Sequence, residues 1–360
     1  MTSLIDNLTR AGHPPAILNA AEDAQILALP EYGRVLGLYA GESQENFFWT
    51  NPALVSAESA AEFFRRDGWL NPGGDRTWLA PEIELFIGDL ARPGETYAVP
   101  AALDSGQWRR EDGAHGLRLR NESAVRLKHS DRTIHFTVAK DVRPAANPLR
   151  GMKLGLSYAG YEQTTTLELA VDRNGNVPPA QLGVWNLLQL PKPGRMIVPT
   201  YRRAVPQTVF GDVPSADLEL ADHAFIWSMA DTGKNAKISV KADVLTGRAG
   251  YLCRSQADGD LWSLVVRNFT VNPSGNYVDA LWNDPNNRGY AFQACAVNEG
   301  VETFNELEHH APAAESADGR NRACDRSQVW AFRGHFEEIS TAIHVLLGID
   351  TINQPRRKIT

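Results

Sequence analysis

The chain has 360 residues and a formal net charge of −7, with a pI near 5.8. Its one basic run, Arg356-Arg357-Lys358, stands at the extreme C-terminus, so the clustered Lys and Arg of a nucleic-acid interface are absent and no nucleic-acid partner is expected. Cys253, Cys295 and Cys324 form no CxxC pair, which suggests neither a disulfide framework nor a zinc ribbon.

The first 23 residues are polar and read as a wrap around the outside of the fold. No basic region followed by an apolar core opens the chain, and no stretch approaches 18 consecutive apolar residues. The expectation is a cytoplasmic protein with no membrane partner. Ala24–Leu29 and Arg34–Tyr39 read as strands around the turn Pro30–Gly33, and Phe47–Trp49 continues the pattern. Ser59–Arg66 has helical character and stops at Asp67-Gly68. Arg76–Glu82 follows the loop Asn71–Asp75, and Ile83–Ile87 reads as a compact apolar strand. Short strands recur from Gly116 to Val138, and a longer alternating run lies within Met152–Val171. Further strands are predicted at Val184–Leu190, Met196–Tyr201, Phe225–Met229, Lys237–Lys241, Gly250–Arg254, Trp262–Val271 and Tyr290–Val297. Turn clusters such as Asp172–Asn176 and Asn272–Asn276 separate them. Phe336, Ile339, Ile343 and Leu346 recur at helical spacing before a stop at Gly348, predicting a helix over 336–347 on the outside of a sheet and a tail over 349–360.

Many short strands with little helical periodicity indicate an all-β sandwich or barrel. No low-complexity linker or fixed repeat divides the chain, so one domain over residues 1–360 is expected.

Three stretches carry chemistry. In Val301–Pro312 (VETFNELEHHAP) the alternation of a strand puts Phe304, Glu306, Glu308 and His310 on one face. Two carboxylates and an imidazole are expensive to bury unpaired. The stretch therefore reads either as a site strand in an open cleft or as an edge strand with a solvated acidic face. In Gly73–Glu82 (GGDRTWLAPE), Asp75 and Arg76 offer an acceptor and a forked donor suited to adjacent sugar hydroxyls. Trp78 offers a flat apolar face, to which Trp49, Trp185 and Trp282 would add; the alternative is a salt-bridged turn with a core Trp. In Gly183–Thr200, Trp185 and Gln189 share a face of an otherwise apolar strand, where a buried Gln must support a site residue or touch a ligand. Lys237 reads as a solvent-facing stem, with an ammonium in the cleft as the alternative; Tyr277 and Asp279 read as turn residues, with a place on the cleft rim as the alternative; His223 and His335 read as structural. No phosphate loop, GxSxG or HExxH motif occurs, and no cofactor is expected.

GGDRTWLAPE, WNLLQLPKPG, and FNELEHHAP followed by the Trp330 strand (VWAF) occur in that order. Together they resemble the galactose-mutarotase-like superfamily, related to aldose 1-epimerases, in a poorly characterised bacterial branch. The resemblance implies a large antiparallel β-supersandwich, a few short helices and a concave carbohydrate cleft. It carries the catalytic Glu over to Glu306 or Glu308, and sugar contact to Asp75, Arg76, Trp78, Glu82, Trp185 and Gln189. The mid-chain acid His of that superfamily has no counterpart, because Gln189 or Leu190 stands in its place. The expected function is carbohydrate binding with acid–base processing at Glu306 and Glu308. Alternatives are a non-catalytic sugar-binding or structural module, and a hydrolase or lyase with a metal on Glu306, Glu308 and His310.

Overall fold

A computed structural model describes residues 1–350 except 42, 44, 112–115, 172–177 and 231–232. The turn Asp172–Asn176 and the basic run Arg356–Lys358 fall outside the described residues. Two ten-stranded antiparallel sheets pack face to face. The first runs Ala16–Asn19, Gln25–Leu29, Arg34–Tyr39, Asp75–Ala80, Gln181–Leu190, Glu302–His310, Tyr290–Glu299, Ala236–Lys241 and Gln207–Phe210, with Ala314–Glu315 added on Gln181–Leu190. The second runs Leu218–Leu220, Ala224–Met229, Gly194–Pro199, Arg248–Arg254, Trp262–Phe269, Arg322–Gly334, Ser157–Leu169, Arg132–Pro144, Leu117–Leu127 and Trp108–Glu111. The chain is thus an all-β antiparallel sandwich with short helices. Among the described residues, no helix is long and apolar enough to cross a membrane.

Alternation along each strand sends Leu188, Phe292 and Leu307 of the first sheet, and Val265, Leu167 and Val329 of the second, into the core between them. The predicted C-terminal helix is present as Phe336–Leu347. Gly348 ends it with φ 69°, a left-handed stop that glycine adopts without steric cost. Ile339, Ile343 and Leu346 bury against Leu264, Val266 and Phe332 on the outer face of the second sheet.

Three local expectations are corrected. The N-terminal wrap contains a helix, Thr2–Arg10, and an edge strand, Ala16–Asn19; Leu8 packs against Leu54 and Phe63, which gives the helix its anchor. Ile83–Ile87 is not a strand, because Glu82–Leu85 forms a short helix instead. Asp279 Oδ1 accepts the Glu82 N–H at 2.9 Å, satisfying a first-turn donor from a distant part of the chain. The edge-strand reading of Val301–Pro312 is overturned: Glu302–His310 lies between Gln181–Leu190 and Tyr290–Glu299, and every residue from Phe304 to His310 is buried.

Candidate active site

Cross-strand register assembles the site. One row across the first sheet is Lys237, Cys295, Glu306 and Gln189; the next is Ser239, Gln293, Glu308, Leu187 and Arg76; a third is His310, Trp185 and Trp78. All these side chains leave the face opposite the second sheet, since directly paired residues of a sheet point the same way. Of them, Lys237, Cys295, Glu306, Leu187, Arg76, Trp185 and Trp78 floor a cavity of about 1060 Å³, walled by Glu82, Tyr97 and Trp282 from the connecting segments.

Of the residues singled out in the sequence, Arg76, Trp78, Glu82, Trp185 and Glu306 line this cavity. Gln189 and Glu308 sit behind its wall, fully buried. Arg76 Nη2 donates to Glu306 Oε1 at 2.8 Å, and Gln189 Nε2 donates to the same oxygen at 3.2 Å. The guanidinium stacks 4.0 Å from the Trp78 ring centre. Its Nε and Nη1 have no partner among the described residues.

Asp75 is a correction. As the neighbour of Arg76 it points the other way, into the core, where Arg267 donates to both its oxygens (3.0 and 2.8 Å) and Tyr161 Oη donates at 2.5 Å. It joins the two sheets rather than meeting the cavity. Lys237 is the converse case. Instead of reaching solvent, its ammonium lies 3.2 Å from Glu82 Oε2 and 3.3 Å from Glu308 Oε2, over the Trp185 ring. The only sequence signal for this was the alternation of Lys237 with inward-facing Ile238 and Val240. Trp185 Nε1 also donates to Glu308 Oε2, at 2.8 Å, while Oε1 has no partner among the described residues.

Supporting groups complete the walls; the sequence pointed to Trp282 among them, but not to Tyr97, Trp69, Arg34 or Asp104. Tyr97 Oη and Trp282 Nε1 donate to the two oxygens of Glu82, at 3.1 and 2.9 Å. Asp104 Oδ2 accepts from Trp69 Nε1 (3.0 Å), Trp78 Nε1 (3.1 Å) and Arg34 Nη2 (2.5 Å), pinning two indoles with one carboxylate. Asp279, expected in a turn, is buried beneath Glu82. Trp49 does not line the cavity but packs on Phe304, which does.

Burial pushes the Glu308 carboxyl up to about 8, with Glu306 and Glu82 adding to the shift and Lys237 opposing it. Burial works against the charge of Lys237, but the facing Glu308 and Glu82 outweigh it and hold the ammonium above its ordinary range. His310 is kept neutral, since burial and then Lys237 and His309 hold it well below the usual imidazole value. It stacks on Trp185 and bonds Gln293 Oε1 through Nε2 at 2.9 Å. The expected metal trio of Glu306, Glu308 and His310 is therefore not assembled. Among the described residues, the group whose ligand atoms converge, within 4.8 Å, is Cys295, Glu306 and Glu308. Burial, Glu306 and Glu308 push the Cys295 thiol well above its usual value, Arg76 already pairs with Glu306, and Glu308 holds its own proton. A cation would have to open that pair and displace both protons.

A search of curated proteins returns no match. Among solved structures, the chain is similar to a galactose mutarotase-like protein from Lactobacillus casei (8% identity, TM-score 0.40, covering 88% of this chain and 99% of that one). It is also similar to a galactose mutarotase related enzyme from Lactobacillus acidophilus (11% identity, TM-score 0.43, covering 89% and 97%). The sequence matches one family over residues 5–355, and the chain belongs to it: the family of unknown function DUF6786.

Proposed function

We propose that the cavity binds a saccharide and transfers protons at its anomeric centre, opening and reclosing the hemiacetal. The observation that carries this reading is the convergence, in one cavity, of aromatic walls with the Arg76–Glu306 and Lys237–Glu82 pairs. The order of the three sequence motifs supports it. Opening a hemiacetal needs a proton removed at one oxygen and supplied at another. Among the described residues both hydrogen bonds to Glu306 fall on Oε1, which leaves Oε2 to take the anomeric hydroxyl proton. As the C–O bond to the ring oxygen breaks, its electron pair stays on that oxygen, which takes a proton from Lys237. Glu308, 3.3 Å from Lys237 Nζ, restores that proton. Lys237 thus takes the place of the missing imidazole. Reclosure on the other face runs the same transfers in reverse.

Polarimetry on freshly dissolved aldoses, with calorimetric binding to the same sugars, tests this. Glu306→Gln keeps size and some hydrogen bonding but removes the base, so turnover falls about 100- to 10,000-fold while binding persists. The second reading, a non-catalytic binding module, draws on the commitment of Lys237 to two carboxylates. It predicts binding with no turnover by the unaltered protein. Neither binding nor turnover on any saccharide would sink both.

A further inference from the structure

We propose that the cleft takes a neutral oligosaccharide, a chain of two or more linked sugar rings, rather than a free monosaccharide; this substrate class rests on the saccharide reading above. Size is the first argument. The cavity of about 1060 Å³ is at the top of the ~300–1,000 Å³ range of sites that enclose whole drug-sized ligands.

The second argument is an arc of aromatic rings. From Trp69 it passes to Trp78 (6.0 Å between ring centres), Phe86 (4.9 Å), Tyr97 (5.4 Å), Trp282 (6.0 Å) and Phe210 (4.7 Å). Trp78 and Phe86 are buried in the middle, whereas Trp69 at one end, and Tyr97, Trp282 and Phe210 at the other, keep exposed surface. The ends are far apart. The strands carrying Trp78 and Phe210 are separated by five strand-to-strand steps in the sheet, and the ring-to-ring distances along the arc hold these two rings within about 21 Å of each other. A pyranose, a six-membered ring with an exocyclic bond of ~1.5 Å on each side, is only about 6 Å across. One sugar would reach one end; both ends are reached by a chain.

The rings are also fixed in advance. The N–H groups of Trp69 and Trp78 are tied to Asp104, and that of Trp282 to Glu82. The Trp69 and Trp282 indoles, which keep exposed surface, therefore offer apolar faces suited to the C–H side of a sugar, with little left to order on binding. Charge narrows the class further. Glu82, Glu299, Glu302 and Glu306 line the cavity against Arg76 and Lys237, so a polyanionic glycan meets net repulsion.

Calorimetric titration of the full chain with gluco-, galacto-, manno- and xylo-oligosaccharides of one to six units, and with oligogalacturonides, tests the proposal. In at least one neutral series Kd should fall tenfold or more between one and three units. Trp69→Ala and Trp282→Ala should each shrink that gain, and Trp→Phe at either position should restore most of it. Affinity that is flat with length, or highest for the monosaccharide, overturns the inference and leaves the saccharide reading standing. Oligogalacturonides binding more tightly than every neutral series overturns the neutral class. Absence of binding by every sugar overturns both readings together.

Discussion

The side chains of Asp75 and Arg76 leave opposite faces of one strand, so their substitutions should be read out by different experiments. Asp75 is wholly buried with Arg267. Burial alone would raise its carboxyl, but Arg267 and Lys140 outweigh that and hold it below the ordinary range. Asp75→Asn strands the Arg267 charge in the core, at a cost of about 3–5 kcal/mol, which urea unfolding will show, while the folded fraction keeps its saccharide affinity. Arg76→Ala removes the forked donor from the cavity and should weaken saccharide binding. An Asp75→Asn variant of unchanged stability with lost sugar binding would return Asp75 to the ligand.

At the scale of elements, the Glu302–His310 strand places an acid where its charge is costly. Glu308 keeps its proton to about pH 8 in the native state and releases it near 4.5 when unfolded. Between those values the native state binds more protons, so stability falls as pH rises across the window. Asp279, raised to about 6 by burial and Glu82, adds the same sign between 3.8 and 6. Above pH 6 the slope therefore belongs mainly to Glu308. Melting temperatures measured from pH 6 to 8 should decline for the unaltered protein and decline less for Glu308→Gln. Parallel slopes for the two proteins would contradict the assignment.

The whole molecule is held by polar bonds that cross from one sheet to the other. Besides Asp75–Arg267, His309 Nε2 lies 3.0 Å from Asp325 Oδ2, Asn186 Nδ2 donates to the same oxygen at 3.0 Å, and Asn305 Nδ2 donates to Tyr251 Oη at 2.7 Å. If one sheet detached, the other would keep buried polar groups without partners, at a few kcal/mol each. Unfolding should therefore be one cooperative transition, although chains beyond about 150 residues often depart from that behaviour. Coincident urea curves by tryptophan fluorescence and far-ultraviolet circular dichroism are expected, and separated midpoints would show that the sheets unfold independently.

Period-two alternation is local, so ETFNELEHH could be read directly as a strand with Glu306 and Glu308 on one face. The 3.6 period of Phe336–Leu347 and its glycine stop were equally legible. Alternation separates Asp75 from Arg76 but does not say which of them looks into the cavity. Hydrophobicity sorts the two faces only when one is apolar. Here the inner face carries Asp75, Asn186, Asn305 and His309, and the outer carries Arg76, Gln189 and Glu306, all of them buried. The helix at Glu82 depended on Asp279, 197 residues away. The pairing of Lys237 with Glu82 and Glu308, and the meeting of Cys295 rather than His310 with the carboxylates, came from strand order and register. Those are set by contacts between segments far apart in the chain, and tertiary structure alone decided them.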